Sequence, residues 1–203
     1  MAVTINASTS NGLIQTADTS GTIQLQSNGT TVATAQSTGF QISTYTPATS
    51  LITSGTTVAS TSGTSITFSS IPSWVKRITV MLNGVSTSGT SNYQIQIGSG
   101  SVTTTGYVGT VSQGSTNVNF SAGFLLNNPA VASTNYSGSV VLTLIASNTW
   151  IESGLLGNNA ASYPVFLSAG NSASLSGALD RVVITTVNGT DTFDAGSINI
   201  LYE

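Results

Sequence analysis

The most closely spaced carboxylates in this chain are Asp191 and Asp194, in the segment TDTFDAG. Two carboxylates in one turn are what a calcium site uses, with backbone carbonyls completing the oxygen shell. The twelve-residue loop pattern of such sites is missing, so the favoured role is Asp side chains bonding the amides of their own turn. A glycosidase acid/base pair would have to face across a cleft at about 5–9.5 Å, which neighbours in one turn rarely do. Serines are abundant, but there is no His and no Cys. That removes imidazole bases, thiolate nucleophiles, disulfides and the usual zinc ligand sets. No G-x-S-x-G elbow occurs either. The expectation is a protein that is not an enzyme and holds no cofactor or metal.

The cations are as scarce as the acids. Three basic residues stand against six acidic ones, a net charge of −3, and charged residues are 4% of the chain, against about 25% in an average domain. Such a weak field gives little steering. Without a basic patch, nucleic acid is not an expected partner. Lys76 and Arg77 are neighbours, so on a strand they point to opposite faces. A solvent-facing position is favoured for them; if one pairs, Asp180, Asp194 or a neighbouring subunit supplies the countercharge. Trp74, Trp150, Tyr93 and Tyr107 have the apolar bodies and polar tips that stack on sugars. In a chain with 7% aromatics, such residues more often anchor a core or an interface.

The elements that would position these groups read as strands. Hydrophobic residues make up 39% of the chain, enough for a core. The stretch Ile71–Asn83, IPSWVKRITVMLN, has the densest apolar alternation and is expected to be a central sandwich strand. Asn83-Gly84 then offers a turn. Asn92–Ile97 alternates strictly, with Tyr93, Ile95 and Ile97 on one face and an outward ladder of amides on the other. Ser139–Ala146 is the strongest uninterrupted strand, Glu152–Ala161 reads as turn-like, and Asp180–Glu203 reads as a hairpin. No stretch has the roughly 18 apolar residues of a membrane helix. MAVTINASTS has no basic or apolar leader region, so no signal peptide is expected. No membrane partner is therefore expected.

These signals predict an all-β chain: an antiparallel, jelly-roll-like β-sandwich preceded by an extended N-terminal β arm. The arm covers residues 1–45, a Ser/Thr-rich linker 46–65, and the sandwich 66–203. The arm carries a hairpin signal at Asn28-Gly29. Its apolar residues are few, and Ile14, Ile23, Leu25, Val32 and Phe40 are the candidates for attachment. A lone hairpin is marginal in water, so the arm is expected to be ordered against something else.

Three blocks in the second half carry a family resemblance: IPSWVKRITVMLNGVSTSGTS at Ile71–Ser91, TTGY at Thr104–Tyr107, and LDRVVITTVNGTDTFDAGSINILYE at Leu179–Glu203. They resemble a C-terminal domain recurring in virion proteins of tailed bacteriophages. NGLIQTADTSGTIQLQSNGTTVAT at Asn11–Thr34 resembles modules of phage tail fibres. The resemblance implies a structural protein on the phage particle surface, commonly a homotrimer. The chain is short and has no long shaft. The expected role is therefore a capsid decoration (cement) protein stabilising the head, with the major capsid protein or other virion proteins as partners. The alternative is a short tail fibre or receptor-binding tip that recognises a host surface glycan through the aromatic residues above.

Overall fold

The computed structural model describes residues 21–37, 39–42, 52–160 and 165–203. Contacts divide the chain into two units, Met1–Ser50 and Leu51–Glu203. All regular elements among the described residues are strands, paired antiparallel throughout.

The first unit contains a three-stranded meander: β1 (Ile23–Ser27), β2 (Thr30–Gln36) and β3 (Gly39–Ile42). Asn28 (φ 48°) and Gly29 (φ 76°) make the first turn. Two consecutive positive φ values match the twist of a tight hairpin, which is why Asn-Gly is placed there. The ladder puts Ile23 beside Ala35 and Leu25 beside Ala33. On the other side of β2, Phe40 lies beside Ala35 and Ile42 beside Ala33. Ile23, Leu25, Ala33 and Ala35 thus share one face of this small sheet. Gln24 and Thr34 share the other.

The second unit is an antiparallel β-sandwich. Its strands are β4 (Thr53–Ser54), β5 (Val58–Ala59), β6 (Ser65–Ser69), β7 (Arg77–Thr87), β8 (Tyr93–Ser99), β9 (Ser101–Val102) and β10 (Val108–Gln113). They continue with β11 (Thr116–Phe120), β12 (Phe124–Leu125), β13 (Tyr136–Ala146) and β14 (Thr149–Asn158). The last three are β15 (Val165–Asn171), β16 (Arg181–Thr186) and β17 (Phe193–Tyr202). The nine-stranded sheet runs β11-β10-β15-β14-β13-β7-β17-β4, with β5 also on β17. The five-stranded sheet runs β12-β8-β16-β6, with β9 on β8.

The strand expected over Ile71–Asn83 begins only at Arg77, after a turn at Ser73-Trp74, and as β7 sits well inside the nine-stranded sheet, between β13 and β17. Ile78, Val80 and Leu82 are buried and face the core with Val140 and Leu142 of β13 and Ile198 and Ile200 of β17. Tyr93, Ile95, Ile97, Val182 and Ile184 supply the opposite wall. Each such aliphatic side chain contributes about 1.5–3 kcal/mol on burial.

Several details differ from the sequence expectations. Asn83-Gly84 is not a turn. The strand runs on to Thr87, and Gly84 (φ 61°) sits where the β7–β17 register slips. Glycine supplies positive φ equally to a turn or to a bulge, and the apolar run resumes at Val85. Residues 180–203 do not form a hairpin, because β16 belongs to the five-stranded sheet and β17 to the nine-stranded one. Glu152 and its followers are not turn-like but form most of β14. The segment expected as a linker up to residue 65 is partly sheet: β4 and β5 pair with β17, and β6 pairs with β16. The Gln ladder of β8 is not outward in water. Gln94 is buried, and the loop at Gly123 passes over it so closely that a Cβ there would lie 2.8 Å from Gln94 Oε1.

The apolar cluster of the sandwich begins at Ile66. A chain starting at Leu51 is therefore expected to unfold cooperatively, with a midpoint within a few degrees of the full-length protein. Thermal unfolding followed by circular dichroism checks this; a lost transition would place part of the core in the first unit.

Candidate interaction face

The outer face of the nine-stranded sheet is built by strand alternation. In β14 the inward residues are Trp150, Glu152 and Leu156, so Ile151, Ser153 and Leu155 point outward. In β15, Phe166 and Ser168 point inward and Val165, Leu167 and Ala169 outward. The ladders align these residues in rows. Leu167 lies beside Leu155, which lies beside Ser139. Ala169, Ser153 and Val141 form the next row, and Asn171, Ile151 and Thr143 the one after. On β10, Ser112, Thr110 and Val108 extend the three rows.

The result is a face of aliphatic and hydroxyl side chains. Leu155 is 49% exposed, Leu167 55% and Val108 64%. No charged side chain points outward from β10, β13, β14 or β15. Four strands about 4.8 Å apart and about six residues long make a face of roughly 400 Å². About half of its outward residues are aliphatic, and they lie side by side in the ladders; contiguous exposed apolar surface of this kind often marks an interaction site. The face is about half of what one partner contributes to a standard interface. Thr79, Met81 and Leu201 extend it across β7 and β17 by register.

The charges gather at the border of this face or away from it. Arg77 Nη1 lies 2.9 Å from Glu203 Oε1, and Glu203 accepts the backbone N–H groups of Lys76 and Arg77 at its carbonyl. The countercharge of Arg77 is thus Glu203, rather than Asp180 or Asp194. Glu203 lies next in line after Tyr202, which pairs with Ile78. Asp180 is taken by its neighbour: Arg181 Nε donates to it at 2.7 Å. That contact and the N–H of Gly100 hold the Asp180 carboxyl below its ordinary value. Pairs this exposed contribute little to stability.

Asp191 and Asp194 do not share a site. Asp191 accepts from the Ser91 N–H at 2.9 Å and from the Asn188 side-chain amide at 2.6 Å. Asn188 Oδ1 in turn accepts from Thr186, Thr190 and Asp191. Asp194, on β17, accepts the hydroxyl of Ser86 across the ladder. Asp191 thus pins the crossing from β16 to β17, and Asp194 ties β17 to β7. No group of three or more metal-ligating side chains occurs among the described residues.

Three of the four aromatic candidates for sugar stacking are enclosed. Tyr93, Tyr107 and Trp150 are at most 2% exposed. Tyr93 packs edge-on to Tyr136 at 5.1 Å, and Tyr107 edge-on to Phe124 at 4.9 Å. The Tyr107 hydroxyl accepts from the Ile97 N–H and donates to the Thr103 carbonyl, both at 2.9 Å. Burial pushes its ionisation up to about 12. These rings serve the core, where each large aromatic side chain buries about 150–250 Å². Trp74 is half-buried, tilted against Tyr202 at 5.9 Å.

Of the attachment candidates, Ile23 and Leu25 stand exposed at 44% and 50%. Val32 is half-buried at the register slip of β2, and Phe40 lies on β3 beside Ala35. Ile14 lies outside the described residues. What sequence reading missed is the outer face itself and the buried Glu152. The signal for both was the alternation WIESGLL, masked by the glycines and amides that follow it.

No protein-family model, no curated protein and no solved structure matches this chain.

Proposed function

We propose that this chain is a structural protein of the surface of a tailed-phage particle, most simply a homotrimeric head-decoration protein that docks through the outer face of its nine-stranded sheet. The observation carrying this reading is that face: wide, about half aliphatic and half hydroxyl, and free of outward charge across four adjacent strands. The resemblance of Ile71–Ser91 and Leu179–Glu203 to phage virion domains supplies the setting. Ile23 and Leu25, exposed on β1, offer a second, smaller contact.

The mechanism is physical. A protein that binds only the assembled lattice stabilises it by mass action. Burying an uncharged face across neighbouring capsid subunits adds interface area without desolvating ions. Enclosure of Tyr93, Tyr107 and Trp150 weighs against a receptor tip that stacks sugars on those rings.

Imaging of intact particles tests the reading. Copies repeated across the head lattice are the expected result. Copies confined to the tail would overturn it in favour of the receptor-binding tip.

A further inference from the structure

Glu152 is 3% exposed, on the inward side of β14. Its Oε1 accepts the Ser168 hydroxyl at 2.6 Å. Its Oε2 is buried and has no hydrogen-bond partner among the described residues. The Nε1–H of Trp150, two residues away on the same side, is likewise buried without an acceptor. A carboxylate in such a place needs two or three donors to balance its lost hydration; this one has a single hydroxyl.

We infer that Glu152 is a proton-dependent lock on β14 and β15, the strand pair that carries Leu155 and Leu167. With the carboxyl protonated, the two strands close over a neutral core. When the proton leaves, an unpaired charge sits between them and they loosen.

The surroundings fit this role. Across the ladder from Glu152 stand Leu142 of β13 and Gly170 of β15, neither of which titrates. The adjacent inward residues are Val140 on β13, Phe166 and Ser168 on β15, and Trp150 and Gly154 on β14 itself. Burial is the dominant influence on the carboxyl, opposed by the Ser168 hydroxyl, and no charged group of the chain acts on it. The buried phenols Tyr93 and Tyr107 keep their protons up to about 12.

Burial raises the Glu152 carboxyl from 4.5 to about 7. Below the lower value both the folded and unfolded chains hold the proton, and stability is complete. Between the two, only the unfolded chain releases it, so the unfolding equilibrium constant rises about 300-fold across that window and is level above it. Asp180 is held low by Arg181 and titrates below the window.

Glu152→Gln keeps the shape and an acceptor for Ser168 but cannot ionise. Denaturant unfolding of the purified protein from pH 4.5 to 8.5 is the test, with amide hydrogen exchange of β14 and β15 as the local readout. The wild type is expected to lose stability through the window, and its β14–β15 amides to exchange faster relative to those of β7 and β17. The variant is expected to be level over the same range and more stable than wild type above pH 7. The same decline in the variant, or none in the wild type, would overturn the lock. Should the variant fail to fold, carbon NMR titration of Glu152 in the wild type decides: a midpoint near 7 supports the lock and one near 4.5 sinks it. None of this needs the particle, so it stands or falls separately from the docking reading.

Discussion

Leu155→Glu together with Leu167→Glu is expected to abolish attachment to the particle while leaving the sandwich folded. The two side chains are neighbours in the ladder and about half exposed. In the free protein a carboxylate at either position reaches water, so each single change should stay within about 0.5 kcal/mol, and the two like charges directly across the ladder add a repulsion of about 0.2–1 kcal/mol. In a docked interface the same carboxylates lose their hydration without a countercharge. An uncompensated buried charge costs about 3–5 kcal/mol, or about two to four powers of ten in affinity. Rebinding to particles stripped of the protein gives the readout, with Ser115→Glu on the exposed β10–β11 turn as the control. Equal rebinding by the double variant and the control would move the docking surface elsewhere.

Gly196→Ala is expected to be among the most damaging substitutions of the fold. Gly196 has φ 90° and sits where the β7–β17 register slips. A Cβ there would lie 2.4 Å from the Gly84 carbonyl oxygen and 2.6 Å from that of Asn83. Both are backbone atoms, so nothing can swing aside, and the αL conformation itself costs an alanine about 1–2 kcal/mol. The sum is about 3 kcal/mol or more, and a fall in midpoint of roughly 6–12 °C for a domain of this size. Gly189→Ala is the useful contrast. It also has positive φ, but a Cβ there meets nothing within 4 Å, so only the conformational cost of about 1–2 kcal/mol should appear. Thermal unfolding of the two variants side by side checks the difference; equal losses would mean that the facing bulges are not tightly packed.

The facing bulges also illustrate how far the sequence could be read. Period-two alternation placed β7, β8, β13 and β17 correctly, because buried strand faces leave that mark whatever their partners. What alternation does not encode is which sheet a strand joins. Asn188-Gly189 looks like a hairpin turn, but Thr190–Thr192 crosses between sheets, held by Asn188 and Asp191. Asn83-Gly84 has the same dipeptide signature and makes a bulge.

The candidate face was less legible than the fold. Leu155 and Leu167 are ordinary core residues by type, and only the register shows that they point outward opposite Leu156 and Phe166. Glu152 was hidden for the converse reason. A glutamate followed by Ser, Gly and later Asn-Asn reads as an exposed connection, whereas its strand position turns it inward between Trp150 and Leu156. For the aromatic residues both roles stood open in the sequence, and packing decides for three of the four: Tyr93, Tyr107 and Trp150 are enclosed in the core.

The proposed docking surface is the outer face formed by β10, β15, β14 and β13. Hydroxyl-radical labelling of Val108, Ile151, Leu155 and Leu167, read by mass spectrometry on the free protein and on intact particles, tests it most directly. Strong labelling in the free protein and protection of all four on the particle is the result expected. Labelling of these residues on the particle equal to that in the free protein would contradict the account.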